Sequence, residues 1–355
     1  MHRHAPPLLS ASSTALAAVA YYADKVDVLR DLFGARAVEA HSDHIVVDGA
    51  VFPVLNDVIL LDAKRSPPAV RAKLAQAPSA TAADDAPFSG DIQATFGSEW
   101  QEFPTILPEH EREFRQYFDI VPPELVNGKR VCDLGCGMGR WSYFLKDRAR
   151  ELILVDFSEA IFVARHNLRG APNALFFLGD LTQLPFRRDF ADLIVCLGVL
   201  HHLPIDALQM TRALGRFAPN LLIYLYSALD AAPPFWRLLF RFVDVVRRVV
   251  SRVHNARFRS AFTWLGATFL YMPLVAIGHA LRPLGLSRFV PLYEFYRSKS
   301  FERVRQDVYD RFFTGIEQRF ARTEILGLRD TYARVVVSEQ LPVWHFLCQR
   351  EGPAA

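Results

Sequence analysis

The segment Arg130-Val-Cys-Asp-Leu-Gly-Cys-Gly-Met-Gly-Arg140 constrains the chain more than any other stretch. It reads as a buried strand entering a loop with Gly135, Gly137 and Gly139, with Asp133 just ahead of them and a helix starting near Trp141. Glycines at alternate positions let the backbone turn sharply and approach a ligand, because no Cβ intervenes. A strand, loop and helix of this kind hold a nucleotide-like cofactor at the carboxyl edge of a parallel sheet. The spacing is G-x-G-x-G, whereas dinucleotide binders use G-x-G-x-x-G. An acid two residues before the first glycine suits a ligand with an ammonium group and no pyrophosphate.

Three further segments extend the pattern. Leu152-Ile-Leu-Val-Asp156 ends an apolar run in an acid, 17 residues beyond Gly139, and Phe157 follows it. Leu175-Phe-Phe-Leu-Gly-Asp180-Leu181 repeats the arrangement. Phe190 to Pro204 then carries Leu197, Gly198 and the pair His201-His202. Together these motifs resemble class I S-adenosylmethionine-dependent methyltransferases.

The resemblance implies an α/β fold with a doubly wound seven-stranded sheet whose last strand is antiparallel. It implies S-adenosylmethionine as cofactor, held around Asp133, Gly135, Cys136, Gly137, Gly139, Asp156, Phe157, Asp180, Leu181, Leu197 and Gly198. Asp156 is expected on the ribose hydroxyls and Asp180 at the adenine amino group. His201 and His202 follow the fourth strand, where similar enzymes face the transferable methyl. Histidine has the pKa range of a base, and His202 is favoured over His201. One of the pair capping the following helix while the other packs on the cofactor is the structural alternative.

The strands of the core are expected near 130–134, 152–156, 175–179, 192–197 and 221–226. Alternating strand and helix patterns give a doubly wound parallel sheet. A final hairpin is expected at 333–338 and 343–348, with Thr323 as N-cap of the helix leading into it. Ahead of the core, residues 1–62 read as a helix reaching about Phe33 and two strands around an Asp48-Gly49 turn. This small α+β unit looks like half of a zinc-ribbon unit that has lost its cysteines, so no metal is expected. Residues 63–95 read as a linker. The core then covers 96–227 and 322–355, with a large helical insertion or cap at 228–321 between strands five and six.

That insertion departs from a minimal enzyme. Pro233 to Asn255 is helical in pattern, with Arg237, Arg241, Asp244, Arg248 and Arg252 in one stripe and apolar residues over the rest. Ser260 to Leu281 is free of formal charge and long enough to span a bilayer. Three readings stay open: a soluble cap, a cap that also docks on a membrane through 233–295, and a span or re-entrant segment. An apolar or lipid-like small-molecule acceptor fits either cap. Trp100, Tyr226, Asp310 and Arg311 are candidate acceptor contacts, and Phe96 and Phe103 candidate pocket walls.

Composition narrows the rest. A net charge of +3 over 355 residues gives no electrostatic case for nucleic acid, and aromatic and basic residues do not interleave on one surface. Cys132, Cys136, Cys196 and Cys348 form no C-x-x-C pair, which argues against a disulfide framework or zinc site and for a reducing cytoplasmic setting. The inner face of the membrane is the other location considered. The rival functions are an NAD(P)-dependent oxidoreductase and a cofactor-binding scaffold without catalysis.

Overall fold

The computed structural model describes residues 21–74, 90–228, 243, 245–253, 255–290, 292–341 and 343–350. It divides into two compact units, 1–230 with 317–355 and 231–316.

The first unit is built on one sheet. Its strands are β1 (Val38–Ala40), β2 (His44–Val47), β3 (Ala50–Leu55), β4 (Val58–Leu60), β5 (Arg130–Leu134), β6 (Glu151–Asp156), β7 (Ala174–Leu178), β8 (Leu193–Leu197), β9 (Asn220–Ser227), β10 (Arg319–Phe320), β11 (Arg334–Val337) and β12 (Trp344–Gln349). The order is β1-β2-β3-β4-β7-β6-β5-β8-β9-β12-β11, with β10 pairing β9 off this path. Strands β5 to β9 are mutually parallel, while β12 runs antiparallel to β9 and β11 antiparallel to β12. The core strands are near-continuous apolar runs because both faces are covered. Cys132, Leu134, Ile153, Val155, Ile194 and Cys196 pack on one side. Val131, Leu152, Leu154, Leu193 and Val195 pack on the other. Strand order reverses between β5 and β8, which opens a crevice at the carboxyl ends of these strands.

The sheet exceeds the seven strands expected from sequence. β4 pairs in parallel with β7 through Val58–Phe176 to Leu60–Leu178, so the amino-terminal strands extend the sheet edge and do not form a separate unit. Two left-handed turns build this extension. Asp48 and Gly49 make the first, as anticipated, and Asn56 and Asp57 make a second at φ 50° and 62°. Asn and Asp tolerate that region better than other non-glycine residues, and this second turn divides what had read as one strand.

Helices of this unit include α1 (Val26–Phe33), α2 (Pro68–Leu74), α3 (Gly90–Glu102), α4 (Pro108–Tyr117), α5 (Arg140–Leu145), α6 (Ala160–Asn167) and α7 (Ala207–Leu214). α2 buries Val70, and α3 starts at Gly90, so the expected linker 63–95 carries helix at both ends. The N-cap reading of Thr323 is also corrected. The helix covers Arg322–Leu326, and Glu324 accepts a 2.7 Å hydrogen bond from the Ala321 N–H in its place.

In the second unit α8 (Ala256–Gly266), a π-helical turn (Ala267–Tyr271) and α9 (Met272–Leu281) follow one another without a break, ahead of α10 (Tyr293–Tyr296) and α11 (Phe301–Phe313). Residues 245–250 are helical, whereas 233–242 of the expected arginine-striped helix lie outside the described residues. Arg247 turns inward and donates 2.9 Å to the Thr314 carbonyl. Gly278 is where α9 approaches α10, since a Cβ there would stand 2.0 Å from Cδ2 of Tyr293. Gly278→Ala is therefore expected to destabilise this unit by about 1–3 kcal/mol through overpacking, read as a lower denaturant midpoint. An unchanged midpoint would show that the α9–α10 packing has slack.

Candidate cofactor and methyl-transfer site

The carboxyl ends of β5, β6, β7 and β8 gather the residues singled out in the sequence. Gly135, Gly137 and Gly139 have φ of 71°, 54° and 76°, the left-handed region in which other residues are strained. The reason differs along the loop. A Cβ on Gly135 would meet Val199 at 2.4 Å, and one on Gly137 would meet the Trp100 indole at 2.8 Å. Trp100 of α3 therefore lies directly over the glycine loop, with Arg140 facing the same ring and that of Trp141.

Two buried carboxylates flank the loop. Asp133 accepts a 2.7 Å hydrogen bond from Ser142 Oγ on α5. Burial pushes its carboxyl up to about 7; the Ser142 bond pulls down and neighbouring Asp156 pushes up. Asp156 at the end of β6 takes Gly137 N–H on one oxygen at 2.8 Å, and Ser158 N–H and Oγ on the other at 2.9 and 2.6 Å. Burial raises its carboxyl, opposed by these hydrogen bonds. Cys136 is buried beside them, and its thiol is held well above its usual range.

Asp180 repeats the device two residues past β7, with Thr182 N–H and Oγ1 on one oxygen at 2.8 and 2.7 Å. Its other oxygen lies 3.6 Å from Arg65 Nη1. A small cleft lies there between Asp62, Arg65, Gln93, Phe157, Gly179 and Asp180. Gln93 of α3 ties the cleft together by donating to the carbonyls of Phe157 and Arg65 at 2.5 and 2.9 Å. Leu181 is buried.

β8 ends at Leu197, Gly198 follows at φ 81°, and a 3₁₀ turn Leu200–His202 comes next. Both histidines are buried. Burial holds His201 well below the usual histidine pKa, with His202 and Arg319 acting in the same direction. Its ring lies on Tyr226 at 4.1 Å between centroids, and its carbonyl accepts from Gln318 N–H. The His202 ring is 4.1 Å from His201, 5.4 Å from Phe96 and 5.8 Å from Tyr226. Trp100, Phe96, Tyr226 and both histidines thus belong to the first unit around the crevice, whereas Phe103 is buried at the end of α3. Asp310 and Arg311 sit on α11 of the second unit.

Sequence reasoning missed Ser142, Ser158, Gln93 and Arg65. A signal existed for Ser158, because acid-x-hydroxyl recurs at Asp156-Phe-Ser and Asp180-Leu-Thr. Arg65 and Gln93 lie in segments with no motif.

The comparisons bear on this same region. Residues 131–218 match a family model described as a methyltransferase domain, so the glycine loop, β6, β7 and β8 carry that family's sequence pattern. A search of curated proteins gives no match. Among solved structures, the DhpI–SAH complex is 16% identical with TM-score 0.43, covering 74% of this chain and 97% of that one. A SAM-dependent methyltransferase from Aquifex aeolicus is 19% identical with TM-score 0.33, over 42% and 86%. Phosphoethanolamine N-methyltransferase 1 of Haemonchus contortus, solved with phosphoethanolamine and S-adenosylhomocysteine, is 16% identical with TM-score 0.34, over 40% of this chain. The chain spans about a third of that enzyme's length, 34%.

Proposed function

We propose that the chain is an S-adenosylmethionine-dependent methyltransferase acting on oxygen of a small apolar or lipid-linked acceptor. The observation that carries this reading is the glycine loop bracketed by buried Asp133 and Asp156, with the Asp156 carboxylate fastened to Gly137 N–H. That pairing suits a ligand with an ammonium at one end and a ribose diol near the middle. Asp156 already accepts three hydrogen bonds, which leaves about one lone pair for a ribose hydroxyl, and Asp180 at its small cleft offers an acceptor for an exocyclic amino group.

The cofactor supplies an electrophilic methyl on a sulfonium. The protein's part is to align the acceptor, exclude water and take a proton. Trp100, Phe96 and Tyr226 provide apolar walls, and His202 is the residue assigned to the proton. Neutral His201 supports the turn beside it. The wall chemistry favours an apolar acceptor. Titration calorimetry with S-adenosylhomocysteine and with NAD tests the reading against a nicotinamide-dependent one: binding of the first and none of the second is expected, and the reverse would sink it.

Asp133 adds a pH signature. With its carboxyl at about 7 in the folded chain, it binds its proton more tightly than in the unfolded chain. It therefore disfavours folding increasingly as pH rises from the ordinary carboxylate range to about 7, with no cost below that range. Ligand binding runs the other way, because an ammonium favours the ionised acid. S-adenosylhomocysteine affinity should rise as pH passes upward through about 7. Asp133→Asn should flatten that rise; a profile identical in both proteins would remove Asp133 from the ammonium site.

A further inference from the structure

We propose that the second unit docks in the plane of an anionic lipid surface through the exposed face of the α8–α9 helical segment. This goes beyond the methyl-transfer reading and does not depend on it.

The helical segment Ala256–Leu284 is 29 residues long, with an apolar window of which only 28% is buried. Its inward side is a narrow line at Arg259, Thr263, Ala267, Tyr271, Val275 and Gly278, spaced by three or four residues as one helix face requires. The outward side is the unusual one. Every exposed position from Phe258 to Ala280 is apolar except His279. Phe258, Trp264, Leu265, Phe269, Leu270 and Ile277 stand out in solvent, Phe269 at 70%. The patch continues past α9 with Leu284 at 69% and Phe289 at 67%. Soluble surfaces rarely leave so long an apolar strip bare.

Charge selects the occupant. From 245 to 293 the chain has seven arginines and no acidic residue. Arg252 and Arg257 are exposed ahead of the apolar strip, and Arg282 is exposed at its far end. Exposed Val245 and Val249 interleave with Arg248 and Arg252. An apolar strip framed by arginines matches acyl chains beneath phosphate headgroups. A second copy of this same face would bring arginine frame against arginine frame.

Length alone would allow the segment to cross a bilayer. The packing argues for lying flat. α8 and the π-helical turn rest on α11, whose Glu302, Arg303, Arg305, Asp307, Asp310 and Arg311 would be carried into the hydrocarbon by a spanning pose. Lying in the interface leaves α11 on the aqueous side.

The test is flotation of the full chain with vesicles of phosphatidylglycerol and phosphatidylcholine, against vesicles of phosphatidylcholine alone. Preferential binding to the anionic vesicles that weakens with salt is expected. Phe269→Glu with Leu270→Glu should cut the bound fraction about tenfold or more, as should Ile277→Glu with Leu284→Glu. Arg252→Gln with Arg257→Gln and Arg282→Gln should abolish the preference for anionic lipid. All these positions are exposed, so circular dichroism should match the parent chain. Absence of vesicle binding overturns the proposal. So does a dimer in sedimentation that the Phe269 and Leu270 changes dissociate while lipid binding stays unaltered.

Discussion

His202→Ala is expected to lower turnover about a hundredfold or more while leaving S-adenosylhomocysteine affinity nearly unchanged. The expectation comes from how differently the two buried histidines are held. His201 lies on Tyr226, its carbonyl takes the Gln318 N–H, and burial keeps its ring neutral. It is fixed in the wall. His202 stands beside it, its ring 5.4 Å from that of Phe96 of α3 and tilted 58° to it. In the proposed mechanism a proton acceptor must reach the acceptor's hydroxyl, and His202 is the residue assigned to it. His202→Gln separates chemistry from packing, because it keeps bulk and polarity without the basicity. Turnover would be followed as S-adenosylhomocysteine release, using an acceptor found by screening apolar alcohols and phenols. Activity retained in His202→Gln would assign the residue to the wall and leave the proton to solvent or another group.

The core strands were legible because parallel strands buried on both faces must be apolar throughout and must end where the chain turns. Leu152-Ile-Leu-Val-Asp156 declares both facts in five letters, and β6 is Glu151–Asp156. The glycine loop was equally plain, since its three left-handed positions leave a spacing that few other structures need. Edge strands were harder. β1 and β4 are three residues each, too short for alternation to show, and the Asn56-Asp57 turn looks like ordinary loop composition. Nothing local announces that β4 pairs with β7, because that contact joins residues more than a hundred positions apart. The site followed the same division. Asp133, Asp156 and Asp180 could be named because each ends or nearly ends a strand. Arg65 and Gln93 reach the cleft from helical or irregular segments whose sequence carries no chemical pattern. The second unit's apolar strip was visible as an uncharged run, but which side of it faces solvent depends on packing against α11.

Asp156→Asn is the sharpest test of the cofactor assignment, with an expected loss of roughly 1.5–3 kcal/mol in S-adenosylhomocysteine binding. Two effects contribute and have the same sign. The variant removes the charge that would strengthen a hydrogen bond from the ribose. It also places an amide where a carboxylate now accepts from both Gly137 and Ser158. With its carbonyl oxygen kept toward Ser158, the amide NH₂ faces the Gly137 N–H, donor against donor, and the glycine loop loses its anchor. Ser158→Ala divides the two contributions: it deletes the 2.6 Å hydroxyl bond but keeps the charge and the Gly137 contact. Its loss should therefore be clearly smaller than that of Asp156→Asn. Calorimetry on both variants, with melting curves to check the fold, gives the comparison. Parent-like binding in Asp156→Asn would show that the ribose lies elsewhere. Equal losses in the two variants would mean that carboxylate orientation, and not its charge, is what the ligand reads.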